Sequence, residues 1–213
     1  MNKSKYLLSF LFTIICLSSV FAQRDPKAEK ILNDMSKKYK SYKAFKANFS
    51  YVMESAMAGK NETINGEITI KGDKFRLNIG DQEVINNGTT IWTYLKSSQE
   101  VNISNYEPDP EDITPNNIYN VYQKGYKFIL LEETPATQVV DLIPEDKNKK
   151  IFKIRITVNR KDNSIKSWKM FEKSGNRYIY NIIKFQPNPV GVDDKYFVFD
   201  TAQHKGIEVV DLR

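Results

Sequence analysis

The side chains that could do acid–base chemistry gather in two short stretches. Four carboxylates crowd into the segment EPDPEDI: Glu107, Asp109, Glu111 and Asp112. A second pair, Asp193 and Asp194, lies in VDDKY. Such groups can bind calcium or serve as the acid and base of a glycan hydrolase. Neither stretch has EF-hand spacing, and Pro108 and Pro110 already account for an exposed, extended loop. We expect solvated loops and keep a carboxylate-dependent envelope glycan hydrolase as an alternative.

Nucleophilic and metal chemistry has few residues to use. The chain contains one histidine, His204, and one cysteine, Cys16. There is no G-x-S-x-G motif, so a Ser-His-Asp or Cys-His hydrolase has no clear position. A histidine-based zinc site needs several ligands, and one histidine does not supply them. The sequence therefore predicts a protein that is not an enzyme, with no catalytic residue, no metal and no cofactor.

The first residues predict export. MNKSKYLLSFLFTIICLSSVFAQ carries two lysines, the apolar run Tyr6 to Leu17, and a small-residue site ending at Ala22. That run is too short for a membrane anchor. The residues before Cys16 lack the small side chains that lipoprotein processing needs, so cleavage is favoured over lipidation. We expect a signal peptide over residues 1–22 and one periplasmic domain over residues 23–213.

The charge pattern does not indicate a nucleic-acid partner. The formal net charge of +6 falls by two when Lys3 and Lys5 leave with the signal peptide. The remaining charges are interspersed, without the basic and aromatic clusters of nucleic-acid binders. Loss of Cys16 also leaves no disulfide, so the domain must be held together by its core. We expect no nucleic-acid binding and a monomer.

An amphipathic helix is predicted directly after the signal peptide. Asp25 suits the N-cap and Pro26 suits the first turn. The apolar residues that then recur at helical spacing are Ala28, Ile31, Leu32, Met35, Tyr39 and Tyr42. The opposite face is rich in lysine, as expected of a helix that packs one side on a core.

The apolar period then changes to two, which predicts strands. In FKANFSYVM the residues Phe45, Ala47 and Phe49 share one face. Further predicted strands are GEITIKG, KFRLNIG, INNGTTIWTYL, QVVDLIP, FKIRITVN, SIKSWKMFE, YIYNIIKFQ and KYFVFD. Hairpin turns are predicted at KGDK and at Asn87-Gly88. About nine to eleven strands, mostly neighbours in sequence, indicate a mainly β protein whose antiparallel sheet curls into an incomplete, half-open barrel.

One segment interrupts the strands. TPNNIYNVYQKG predicts a short helix over residues 115–124, with Thr114 as its cap, Pro115 in its first turn and Gly125 past its end. Its apolar face consists of Ile118, Val121 and Tyr122. A helix of about ten residues is marginal alone, so it must dock on the sheet, as a lid would.

Aromatic residues are more numerous on the strands than one helix could cover. Either they fill a tight core, or some line a cavity or a partner surface. Trp92 and Tyr94 illustrate the alternatives, because they share a face opposite Ile91, Thr93 and Leu95. If that face points under the predicted lid, both residues touch a ligand; if it points outward, they pack beneath a helix or are exposed.

In chain order, the segments FKANFSY, INGEITIKGDKFRLNI, QEVINNGTTIWTYLKSSQEV and KYFVFDTAQHKGIEVVDL resemble the periplasmic lipoprotein carrier family of the LolA type. The most specific pieces are Gly66 to Phe75, Asn87 to Tyr94 and Phe197 to Asp211. The resemblance implies a half-barrel covered by helices, with an apolar cavity for the acyl chains of lipoproteins. It also implies two partners: an inner-membrane lipoprotein-releasing transporter and an outer-membrane acceptor.

The resemblance and the strand alternation together predict the binding residues. Phe75 matches a cavity aromatic of the family, and Leu77 and Ile79 continue on its face. The predicted cavity and lid residues are Phe49, Phe75, Leu77, Ile79, Trp92, Tyr94, Ile118, Val121 and Tyr122.

The chain departs from the family pattern in one respect. Many members carry an Arg-Pro pair whose arginine latches the lid, whereas this chain has Gly72 and Asp73 in KGDKF, and Arg76 alternates away from Phe75. A latch of that kind is therefore not predicted. A regulatory domain of the same fold that senses lipoproteins or other amphiphiles remains an alternative function.

Overall fold

The computed structural model describes residues 25–55, 61–107, 113–114 and 116–213. The predicted signal peptide lies outside these residues. Within them the chain forms one α-helix, α1 (Pro26–Lys40), and a single sheet of twelve strands. No helix in the described part is both long enough and apolar enough to cross a membrane.

The sheet consists of two meanders. The strands are β1 (Phe45–Glu54), β2 (Asn61–Lys71), β3 (Lys74–Ile79), β4 (Gln82–Asn86), β5 (Thr90–Leu95), β6 (Glu100–Asn105), β7 (Tyr126–Glu133), β8 (Thr137–Pro144), β9 (Ile151–Asn159), β10 (Ile165–Glu172), β11 (Arg177–Pro187) and β12 (Glu208–Asp211). They lie in the order β12-β6-β5-β4-β3-β2-β1-β11-β10-β9-β8-β7. The meanders β1–β6 and β7–β11 join where β1 pairs antiparallel with β11. Because β7 and β12 are edges, the sheet is not closed into a barrel.

The mainly β, half-open architecture is confirmed, with corrections of detail. The described residues contain twelve strands rather than nine to eleven, and β12 pairs with β6 in parallel. The strand prediction for KYFVFD is wrong, because Lys195–Phe197 forms a 3-10 helix. Its alternation is genuine, since Phe197 and Phe199 are buried and Val198 is exposed. The segment buries them against a face of the sheet instead of in a ladder.

Helix α1 spans Pro26–Lys40 and is tied to edge strand β7 by its N-cap, Asp25. One carboxylate oxygen accepts hydrogen bonds from two first-turn amides, and the other accepts one from Leu130 N–H at 3.1 Å. The Asp25 N–H donates to the Phe128 carbonyl. Burial opposes ionisation, but these backbone hydrogen bonds outweigh it and hold the pKa of Asp25 below its ordinary value. One residue thus begins the helix and covers part of a sheet edge.

The two faces of the sheet carry two separate apolar clusters. We call the face on which α1 packs the inner face, and its cluster joins α1 to β1, β2 and β7–β10. The opposite, outer face carries a smaller cluster on β4 and β6, covered by the chain that follows β11. Thr69 marks the change of side: it alternates with the inner-facing Ile68 and Ile70, and its hydroxyl lies 3.2 Å from the Tyr196 hydroxyl.

The predicted lid helix is wrong in its form. Residues 116–120 form turns and Val121–Gln123 form a 3-10 helix, rather than a helix of about ten residues. The Thr114 carbonyl accepts from both the Asn117 and the Ile118 N–H, so the turns do not settle into one helical pattern. Asparagine side chains compete for backbone hydrogen bonds, which explains why NNIYN does not propagate a helix. Gly125, at φ +73°, ends the segment as predicted.

Candidate functional site

The interior between the inner face, α1 and residues 116–123 is apolar and nearly filled. We call residues 116–123 the covering segment. A cavity of about 30 Å³ remains, lined by Phe49, Ile68 and Trp168 from the sheet, by Tyr39 from α1 and by Tyr119 from the covering segment, among others. That volume has room for about two water molecules. An acyl chain can enter only if side chains or the covering segment move.

Phe49, a predicted site residue, lies at the centre of this interior and is 2% exposed. It is paired with Gly66 on β2, and its ring lies directly over that glycine. A β-carbon at residue 66 would come within 2.5 Å of the Phe49 Cζ atom and 3.0 Å of the Asn78 carbonyl oxygen. Glycine at this strand position therefore makes the space that the ring occupies.

The covering segment holds three predicted site residues against the interior. Ile118 and Tyr122 are buried, and Val121 packs half-buried on the same cluster as Phe49. The Tyr122 hydroxyl donates to Asn33 Oδ1 on α1 at 2.8 Å. The segment is thus fastened to the helix by a side-chain hydrogen bond as well as by packing.

A ring stack provides a second fastening. Tyr119 lies parallel to Tyr39 of α1, with centroids 5.4 Å apart and an interplanar angle of 15°. Burial raises the pKa of both hydroxyls above the ordinary tyrosine value. Tyr39 also accepts a hydrogen bond from the Ile165 N–H, which fixes the helix end to β10.

An open groove adjoins the interior at the end of the sheet where β9 and β11 begin and β10 ends. Its volume is about 730 Å³, within the range of about 300–1,000 Å³ typical of ligand pockets. Its apolar wall includes Tyr51, Met170, Tyr178 and Tyr180. The loop after β8 supplies polar groups to the same groove from Asp146, Asn148, Lys149 and Lys150. An apolar wall with a polar end fits an amphiphile.

Tyr180 stands between the groove and the interior. Its ring stacks on Trp168 at 4.6 Å and 10°, and lies 5.9 Å from Phe49 and 5.0 Å from Tyr51. Trp168 and Phe49 line the closed cavity, whereas Tyr51 and Tyr180 line the groove. Burial, reinforced by the neighbouring tyrosines, raises the pKa of Tyr180 to about 12.

Phe75, Leu77 and Ile79 lie on the inner face of β3, half-buried at the margin of the interior. Phe75 meets the ring of Tyr106 edge-on at 6.5 Å. These three predicted site residues share a face and a cluster with Phe49. They border the covered part of the sheet and do not line the closed cavity.

Trp92 and Tyr94 lie on the outer face, away from the other predicted site residues. Trp92 is paired with Ile85, and both belong to the outer cluster. The Tyr94 ring lies 5.3 Å from Phe199 and 4.7 Å from His204, whose imidazole stacks on Phe199 at 4.6 Å. The chain after β11 therefore covers the face that carries Trp92, and the predicted set divides between the two faces.

The carboxylates that could do chemistry have structural partners where they are described. Asp194 lies 2.9 Å from Lys71 Nζ and 3.1 Å from Lys74 Nζ, which lower the pKa of its carboxyl. Asp193 accepts the N–H three residues later. Glu107 is exposed, and the rest of its acidic stretch lies outside the described residues. In the described ranges no three His, Cys, Asp or Glu side chains are grouped to hold a metal ion.

Arg76 does not act as a latch for the covering segment. Its guanidinium donates to Glu83 Oε1 at 2.6 Å and to the Tyr196 carbonyl at 3.2 Å, both on the outer face. Gly72, at φ +58°, forms the tight turn between β2 and β3. Gly72 and Asp73 therefore serve the turn between β2 and β3 where the family has its latch. In the described part of the chain, the hydrogen bond from Tyr122 to Asn33 on α1 is a polar contact that fastens the covering segment.

The groove residues were not among the predicted binding residues. Their signal in the sequence is alternation: Tyr178, Tyr180 and Ile182 share one face of β11. Tyr51 on β1, which is paired with Tyr180, lies on the same face. Recognising a shared wall requires knowing that β1 and β11 are neighbours. Nothing local to either strand indicates that pairing.

Comparisons with solved structures show the same fold in two distant proteins and a weaker similarity to a third. An uncharacterized conserved protein from Thermus thermophilus gives a TM-score of 0.53 at 11% identity, over 87% of this chain and 99% of that one. MucB gives 0.51 at 14% identity, over 87% of this chain and 66% of that one. A LolA superfamily protein from Nitrosomonas europaea gives 0.45 at 14% identity, over 81% and 98%. No curated protein matches the chain.

The family model matches the part of the chain that forms the interior. The model of the outer membrane lipoprotein carrier protein LolA matches residues 18–174, a range that contains α1 and strands β1–β10. It therefore includes the covering segment and most of the inner face. The chain belongs to the family of the outer membrane lipoprotein carrier protein LolA.

Proposed function

We propose that this protein is a periplasmic carrier that binds the acyl chains of lipoproteins and moves them from the inner to the outer membrane. The observation that carries the proposal is the apolar interior between the inner face and α1, covered by a short segment and adjoining an open apolar groove. Family membership supports the same function.

The energetics of acyl chains agree with this arrangement. Each methylene removed from water contributes about 0.8 kcal/mol, so a chain crossing an aqueous compartment must be covered. The covering segment lacks a stable helix of its own and is fastened by the Tyr122–Asn33 hydrogen bond and the Tyr119–Tyr39 stack. When the covering segment lifts, Ile118 and Tyr122 lose their buried positions and methylenes of the ligand become buried in their place. Binding and release can then be nearly balanced, as a carrier requires.

The remaining parts of the proposal concern location and partners. The proposed carrier is exported, cleaved after Ala22, and works as a monomer without a cofactor and without catalysing a reaction. It receives its cargo from an inner-membrane lipoprotein-releasing transporter and delivers it to an outer-membrane acceptor.

A pair of neighbouring isoleucines on β11 provides the test. Ile182 lines the closed cavity, whereas the adjacent Ile183 is 64% exposed. The purified protein is mixed with a fluorescent triacylated lipopeptide, and binding is followed by fluorescence anisotropy. Ile182→Glu places a charge in the interior and should abolish binding, while Ile183→Glu, the matched control, should leave it unchanged. Equal affinities for the two variants and the unaltered protein would overturn the proposal.

Unloading separates a carrier from an amphiphile-sensing regulatory domain of the same fold, which is the alternative function. A carrier loaded with lipopeptide should transfer it to acceptor vesicles. A sensor should retain the lipopeptide and change its affinity for a protein partner instead.

A further inference from the structure

The open groove has the features of a binding site in its own right. We propose that it binds a single fatty acyl chain while the covering segment is still in place, and that Tyr180 divides it from the closed interior. This inference rests on the proposed carrier function, which it deepens by naming an additional site on the route of the chain.

The groove wall is formed by side chains suited to a linear apolar ligand. Tyr51 and Tyr178 are diagonal neighbours on the paired strands β1 and β11, and their rings are nearly parallel, 9° apart in angle and 6.5 Å between centroids. Met170 on β10 adds an unbranched, adaptable side chain to the same wall. These residues are only half-buried, so apolar surface is available without any movement of the fold.

The polar end of the groove indicates how the ligand is oriented. Asp146, Asn148, Lys149 and Lys150 line it together with the aromatic wall, so two ammonium groups and one amide stand beside one carboxylate. A carboxylate, ester or phosphate head can accept hydrogen bonds from such groups. The ligand is therefore an amphiphile that places a single acyl chain in the groove and its hydrogen-bond-accepting head at the loop after β8.

Tyr180 forms the boundary because it contacts the linings of both spaces. Its ring stacks on Trp168 and lies near Phe49, both of which border the 30 Å³ cavity, while its other neighbour, Tyr51, belongs to the groove. An acyl chain that extends along the groove meets the Tyr180 ring before it reaches the interior. Removing the ring joins the two spaces.

The test measures affinity against chain length with the covering segment locked. Asn33→Cys and Tyr122→Cys, whose parent side chains touch, are joined by a thiol cross-linker. Calorimetry then follows the binding of saturated fatty acids from hexanoic to hexadecanoic acid. Each added methylene should raise the affinity about fourfold until the chain reaches Tyr180, after which the affinity should level off. Tyr180→Ala should move that plateau to longer chains, and Tyr180→Phe, which keeps the ring, should leave it in place.

The outcomes separate this inference from the carrier function itself. A locked protein that binds none of the acids, while the unlocked protein binds the lipopeptide, would overturn the groove site alone. An unmoved plateau in Tyr180→Ala would overturn the role of Tyr180. An unlocked protein that binds neither ligand would overturn the carrier function as well. Should the double cysteine variant not fold, Tyr178→Glu serves instead: it should weaken octanoic acid binding at least tenfold and spare the lipopeptide, and the reverse pattern would overturn the inference.

Discussion

Replacing Gly66 by alanine should destabilise the protein through the ring of Phe49. The added β-carbon would lie 2.5 Å from Phe49 Cζ and 3.0 Å from both Phe49 Cε1 and the Asn78 carbonyl oxygen. Carbon atoms in favourable contact are about 3.5–4.0 Å apart, so the ring must shift by roughly 1 Å. Because the Asn78 carbonyl belongs to the backbone of β3, the β-carbon cannot relieve the contact by moving the other way.

The expected free-energy cost follows from two opposing effects. Overpacking a well-filled core costs about 1–3 kcal/mol. Removing a glycine from the unfolded chain returns about 0.4–1 kcal/mol. The free energy of unfolding of Gly66→Ala should therefore fall by roughly 1–2 kcal/mol, which for a domain of this size lowers the Tm by about 2–8 °C.

Urea unfolding of single and double variants measures this effect and its origin. In a Phe49→Leu background the clash with the aromatic ring is absent, so Gly66→Ala should cost clearly less than it does in the unaltered protein. The reasoning is refuted if Gly66→Ala is as stable as the unaltered protein. An equal cost in both backgrounds would assign the strain to the Asn78 carbonyl and not to the ring.

Three further changes test the contacts around the site. Asp25→Ala removes the helix cap and the bond to Leu130, and should cost about 0.5–2 kcal/mol at neutral pH. Because the folded-state pKa of Asp25 is lowered, the stability that its carboxylate contributes is present above the carboxyl's unfolded pKa and is lost as the pH falls through the lower folded value. Urea titrations should therefore show that the difference in free energy of unfolding between Asp25→Ala and the unaltered protein becomes smaller in acid, and a constant difference would contradict this. Tyr122→Phe loses the hydrogen bond to Asn33, worth about 0.5–1.5 kcal/mol. Amide hydrogen exchange should become faster in the covering segment but not in β9. An equal increase of the exchange rate in β9 would indicate that the whole fold is destabilised. Phe197→Ala, at a fully buried position, should cost about 3–5 kcal/mol and shift tryptophan emission to the red; unchanged emission would mean that the outer cluster stays closed.

The local elements of the fold could be predicted from the sequence. The cap at Asp25, the proline in the first turn and the helical spacing of apolar residues define α1, and the structure confirms them as far as Tyr39. Tyr42, the last residue of the predicted repeat, lies past the end of the helix. The hairpins at KGDK and Asn87-Gly88 are likewise confirmed. Each depends on residues close together in the chain, whose backbone preferences act whatever surrounds them.

The site could be predicted only in part, because its decisive contacts are between distant segments. Phe49, Ile118 and Tyr122 come together as expected from their alternation and apolar spacing. The alternation that pairs Trp92 with Tyr94 is also correct, but a period of two states which residues share a face and not which face is covered by α1. That choice is made by Phe197 and the chain around it, which packs on the outer face of β4–β6.

The covering segment shows a second limit of local reasoning. Its apolar residues and its terminal glycine are in place, yet the asparagines between them prevent a regular helix. Docking of Ile118 and Tyr122 supplies the stability that propensity does not. A helix prediction from spacing alone cannot weigh these two contributions against each other.

The joining of the two meanders has a consequence for a chain that is cut between β6 and β7. The amino-terminal fragment would carry α1, which is bonded to β7 through Asp25, and would share the β1–β11 ladder. The carboxy-terminal fragment would reach back over the outer face and add β12 to β6. The two fragments therefore contact each other on both faces of the sheet. Limited proteolysis in that connection should yield two bands on a denaturing gel and a single folded particle in native chromatography.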